Sequence, residues 1–166
     1  MRFLTLACLL GSLVFPSGAI GASPPQESLR LKRFTPEDEP PQDQELLRMI
    51  QKVKRSFLER DAAQLEDCFG SSKIFVSLKT SAGNPGYYTR SQVHFIFDKL
   101  FRDVATRTFR YSPRDVSISK DDRAFLRSEW TYVVLDSDSL VTEHMHFSFE
   151  KENEGWRISE VKASSR

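Results

Sequence analysis

The sequence predicts an α+β domain in which helices pack on a curved, mainly antiparallel sheet. Three observations carry this expectation. Two amphipathic helical patterns come first, Glu45 to Phe69 and Arg90 to Val104. Everything after them alternates with the two-residue period of a strand. The strand-like runs are joined by short loops, which suit hairpins but are too short for parallel crossovers.

In the first helical stretch Leu46, Ile50, Val53 and Phe57 recur on one face, widened by Leu47 and Leu58, with Lys52, Lys54, Arg55 and Glu59 opposite. Asp61 is the expected N-cap of a second short helix carrying Ala62, Leu65, Cys68 and Phe69, which Gly70 ends, so the chain bends near Arg60-Asp61. Lys73 to Thr80 alternates, with Ile74, Val76 and Leu78 on one side, and predicts a strand. Ser81 to Gly86 collects turn formers and reads as a loop. Thr89 and Gln92 have the spacing of a capping box ahead of Val93, Ile96, Phe97, Leu100, Phe101 and Val104.

Strand periodicity then runs to the end of the chain. Thr106 to Ile118 contains Pro113, which cannot donate to a ladder and must sit at a bulge, bend or edge. Arg123 to Leu135 puts Ala124, Leu126, Ser128, Trp130 and Tyr132 on its buried face. The next strand sets Val141, Glu143, Met145, Phe147 and Phe149 opposite Thr142, His144, His146 and Ser148, and the two form a long hairpin. A turn at Glu152 to Gly155 leads to a last strand with Trp156, Ile158 and Glu160 on one face and Arg157, Ser159 and Val161 on the other.

The N-terminal residues predict a secretory signal over residues 1–22. Arg2 precedes an uncharged apolar run from Phe3 to Phe15, then Pro16 and small residues that place cleavage between Ala19 and Ala22. The run is short of the ~20 residues that span a bilayer, so stable membrane insertion is not expected. Residues 23–43 hold five prolines and few apolar side chains, and predict a disordered spacer before one domain over residues 44–163. Without the signal, 23 basic side chains face 23 acidic ones, which disfavours nucleic acid as a partner. Cys68 is then the sole cysteine, and its expected role is a small buried hydrophobe. The basic positions from Lys99 to Arg127 are interrupted by Asp103, Asp115, Asp121 and Asp122, and predict a solvated mixed-charge surface.

These elements, in this order, resemble the nuclear transport factor 2-like superfamily, which includes ketosteroid isomerases. The resemblance is carried by Phe57-Leu58-Glu59-Arg60-Asp61 with Leu65 and Phe69, by the helix Arg90 to Val104, and by Gly155-Trp156-Arg157-Ile158. The spacing of Phe97, Leu100-Phe101 and Phe109 is most similar to an exported bacterial family of unassigned function. The resemblance implies a cone, with helices on the concave face of the sheet and a pocket between them. That fold serves binders, enzymes and assembly domains alike.

No catalytic motif, cofactor motif or metal-ligand set stands in the sequence. The expected ligand-binding residues are Phe97, Phe101, Trp130, Tyr132, Glu143 and Met145. Glu143 breaks the apolar pattern of its strand face, and a buried carboxyl has a raised pKa suited to a general base. Tyr132 on the neighbouring strand and His94 on the helix margin are the assisting candidates, although Glu143 near the strand end could instead reach water. His144 and His146 could present two imidazoles to a metal, but no third ligand is evident and an outward pair is expected. The preferred expectation is a non-enzymatic domain binding a small apolar molecule or a protein. The alternatives are an enzyme of ketosteroid-isomerase or dehydratase type with Glu143 as base, or self-association through an outer face of Arg127, Glu129, Thr131, Thr142, His144 and His146.

Overall fold

A computed structural model describes residues 43–79 and 84–164, so the expected signal and nearly all of the expected spacer lie outside the described residues. α1 spans Gln44–Glu59 and α2 spans Ala62–Glu66. The bend falls where expected: Arg60 takes a left-handed backbone (φ 58°) and its guanidinium donates to the Val104 carbonyl at 3.1 Å. Asp61 caps α2 by accepting from Gln64 N at 2.8 Å. α2 stops earlier than the sequence predicts, because Phe69 leaves the helical path to bridge Ile158. Gly70 follows, its amide donating to the Ile158 carbonyl.

β1 is Ile74–Ser77 and β2 is Gly86–Tyr88, antiparallel to each other. β2 lies where the sequence predicts the end of a loop and the approach to a helix, and its three residues are too few to show an alternation. α3 spans Arg90–Asp103 with the expected Thr89–Gln92 capping box. The β-branched Val104 already belongs to β3, Val104–Arg110. Pro113 opens a 3-10 turn at Pro113–Asp115, a bend as anticipated, before β4, Val116–Ile118. β5 (Arg123–Val134), β6 (Ser139–Glu152) and β7 (Gly155–Ser164) complete one sheet of order β2-β1-β7-β6-β5-β3, with β4 also on β5. Every pairing is antiparallel except β1 with β7.

The faces of β5 and β6 fall as the alternation predicts, but β7 changes face midway. Opposite Ser148/Phe149 the register slips at Ser159, whose hydroxyl donates to the Ser148 carbonyl at 3.4 Å. The extra residue turns Val161 inward and Glu160 outward, reversing the expected placement of both. Gly155 sits at φ +103°, a conformation that strains any residue with a β-carbon, and the Glu45 carboxylate lies over it.

The core lies between the helices and the concave face of the sheet. Phe57 is at its centre and fully buried, with ring centroids 4.8 Å from Phe109, 5.2 Å from Trp130, 5.4 Å from Phe101 and 5.8 Å from both Phe97 and Phe147. Most of these pairs are edge-on, the arrangement ring quadrupoles favour. Trp130 Nε1 donates to Thr106 Oγ1 at 3.1 Å, so the indole keeps a polar partner. At the other end Trp156 Nε1 donates to Asp43 Oδ2 at 2.9 Å. No described helix is long and apolar enough to cross a membrane.

Cys68 is fully buried, its thiol donating to the Gln64 carbonyl at 3.5 Å, and burial pushes that thiol up to about 12. With a pKa there, about one thiol in ten thousand is ionised at pH 8, and thiolate is the reacting species. Native protein is therefore expected to resist iodoacetamide at pH 8 for hours and to be labelled within minutes in urea. Labelling of native protein at the unfolded rate, followed by mass, would show Cys68 to be accessible after all.

Candidate functional site

The six expected ligand-binding residues do come together. Phe97 and Phe101 come from α3, Trp130 and Tyr132 from β5, Glu143 and Met145 from β6, and all are buried on one side of the sheet. Phe97, Phe101 and Trp130 are ring-packed around Phe57, and Met145 is fully buried beside them. The polar chemistry of the group is concentrated in the other two. The Tyr132 ring lies tilted against Trp130, centroids 4.1 Å apart, and diagonally across the hairpin from Glu143, whose register partner is Trp130.

Glu143 is 4% exposed, so it does not reach water from the strand end. Burial raises its proton affinity, against the opposing effects of the Tyr132 hydroxyl, which donates to the carboxylate, and of the Lys79 charge. Burial likewise pushes the Tyr132 phenol far up, and the Glu143 charge adds to the effect. A carboxylate has about four acceptor sites and the tyrosine uses one. Along the same inner face Val134, Val141 and Ala163 are half-buried, so this end of the sheet is apolar but not closed over as the Phe57 cluster is.

His94 is not part of this group. It stands on α3 with Nδ1 3.0 Å from Glu66 Oε2 of α2, off the line of a good hydrogen bond, and Glu66 also lies 3.8 Å from Arg90 Nε. The two helices are tied there by a charged cluster that Asp67 extends to Lys52, at 3.3 Å. His144 and His146 point to the outer face, and among the described residues no three ligating side chains are grouped to hold a metal. Sequence periodicity did not indicate Phe57 as the hub, because it gives the face of a residue and not its depth.

No family model matches the chain, and no curated protein matches it. Solved structures do. A ketosteroid isomerase-like protein from Erwinia carotovora atroseptica is 13% identical with a TM-score of 0.59, over 75% of this chain and 99% of that one. A nuclear transport factor 2-like superfamily protein from Salmonella enterica is 21% identical with a TM-score of 0.57, over 74% and 89%. A DUF4783 family protein from Bacteroides uniformis is 12% identical with a TM-score of 0.54, over 70% and 95%. At such identities the likeness is one of architecture, and the chain has the nuclear transport factor 2-like fold, α+β with its helices laid on a curved, mainly antiparallel sheet.

Proposed function

We propose that this chain is an exported, non-enzymatic domain that binds a small, largely apolar molecule through a polar group presented to Glu143 and Tyr132. The supporting observation is a carboxyl that is 4% exposed, with raised proton affinity, on a strand face otherwise made of Val141, Met145 and Phe147. Such a group is costly to bury, and a ligand hydroxyl or N–H donating to the carboxylate would satisfy what Tyr132 leaves open. Export follows from residues 1–22, and the same protein sample tests both statements.

Protein purified from its native host, then denatured, is expected to release an apolar compound that is lost from Glu143→Gln and Tyr132→Phe by about tenfold, the effect of about 1.4 kcal/mol. Circular dichroism of the variants should be unchanged. Intact mass should place the first residue between Ala19 and Ala22. A preparation that releases nothing, or a Glu143→Gln variant that retains the compound fully, would refute the binding reading; a retained Met1 would refute export.

The raised proton affinity also supports a second reading, a proton-transfer enzyme of ketosteroid-isomerase or dehydratase type with Glu143 as base and Tyr132 assisting. Turnover of the released compound, abolished in Glu143→Gln, separates that reading from simple retention. If no small molecule is found, binding of a protein or of a second copy through the outer sheet face is what remains.

A further inference from the structure

The outer face of the sheet contains a break. β3 pairs with β5 from Val104↔Val134 to Arg110↔Glu129, and β4 takes over at Val116↔Leu126. Between them Tyr111 to Asp115 turns away through the Pro113 turn, so Arg127 and Ser128 have no strand beside them on that edge. The gap leaves a cavity of about 540 Å³.

Its walls carry Arg110 and Arg127, His144 and His146, and two acids, Asp115 and Glu129. Arg127 is the cross-strand partner of His146, and His146 of Lys162, which sets three nitrogen-bearing side chains in one row across β5, β6 and β7. Arg110 and His144 flank the next row, opposite Glu129. Neither Arg110 nor Arg127 forms an ion pair with any described residue. Of the two acids in the walls, Asp115 accepts from Ser112 N at 2.8 Å, and Glu129 stands between Arg110 and His144 without a salt bridge to either. His146 feels the field, its proton affinity lowered by burial and then by Arg127, His144 and Lys162.

We propose that this notch binds a small, multiply charged oxyanion, a phosphomonoester or a polycarboxylate, held by the guanidinium groups of Arg110 and Arg127 with His146 alongside. Two unpaired guanidinium forks at one concavity match the oxygen pairs of such groups, where each can donate two parallel hydrogen bonds. The balanced charge of the chain supplies no long-range attraction for anions. Selectivity therefore rests on the local arrangement, and the site is independent of the Glu143 pair on the opposite face.

The three histidines provide the test, since His144 and His146 border the notch while His94 lies on α3 and serves as the internal reference. Imidazole resonances of the full chain are followed by NMR during titration with inorganic phosphate or citrate, at ionic strength held constant with sodium chloride. The expected result is saturating shifts of His144 and His146 with His94 unmoved, with a Kd below ~1 mM. Arg127→Ala and Arg110→Ala should each weaken binding about tenfold or more, and Arg127→Lys should weaken it less, because the charge remains although the fork is lost. Saturation by phosphate alone identifies a phosphomonoester site, and by citrate alone a polycarboxylate site. Linear shifts equal for all three histidines, or an Arg127→Ala variant that binds as tightly as the parent, would overturn the proposal.

Discussion

Phe57→Ala is expected to lower the stability of the domain by about 3–5 kcal/mol, the range for deleting a fully buried ring. Domains of this kind hold only about 5–15 kcal/mol in total, so a large part of the population should unfold at mild urea concentrations. The reason is positional. Among the described residues Phe57 is the one ring that touches α3 through Phe97 and Phe101 and the sheet through Phe109, Trp130 and Phe147, so its loss leaves a void that no single neighbour can collapse into. Urea unfolding read by tryptophan emission measures it, since Trp130 lies 5.2 Å from the deleted ring. Phe95→Ala is the control: that ring is 68% exposed, and its removal should change stability by no more than about 0.5 kcal/mol. Equal urea midpoints for the two variants would show that Phe57 is not the centre of the core.

Asp43→Ala should have the second largest effect, about 2–4 kcal/mol, although the residue is on the surface. One carboxylate oxygen accepts from Glu45 N and Leu46 N, both at 3.0 Å, and caps α1; the other accepts from Trp156 Nε1. The cap is worth about 1 kcal/mol. An indole N–H left buried without a partner costs about 1–3 kcal/mol more. Asp43→Asn keeps an acceptor for the cap and should recover roughly the cap's share. The hydrogen bond from the Leu46 backbone, followed by those from Trp156 and Glu45, holds the Asp43 carboxyl below its usual 3.8 despite partial burial. Its contribution is therefore complete above the ordinary aspartate range and is lost as the pH falls through the depressed value. Urea midpoints from pH 7 to pH 3 should decline less in Asp43→Asn than in the parent, and an identical decline would sink this account.

Periodicity was enough to read the element order and most inward positions. Glu143 drew notice because it interrupts an apolar face, and Tyr132 because strict alternation puts it on the facing side of the hairpin. What could not be read depended on register or depth. Nothing about Ser159 distinguishes a bulged serine from a paired one, so Glu160 and Val161 were expected on the wrong faces. β2 was hidden because Gly86-Tyr87-Tyr88 follows turn formers and is too short to alternate. His94 lies on the side of α3 that faces Glu66, on another helix, and a helix-margin position alone fits either side. The Arg127–His146–Lys162 row needs the mutual register of three strands, one of them bulged, before its members can be recognised as neighbours.

The parallel pair of β1 with β7 has a consequence for synthesis. Val76 finds its partner Val161, and Phe69 its partner Ile158, only when β7 exists. On a nascent chain Phe69 and Val76 therefore stay without these partners until β7 has emerged. A holdase can engage those two positions for as long as β7 is missing.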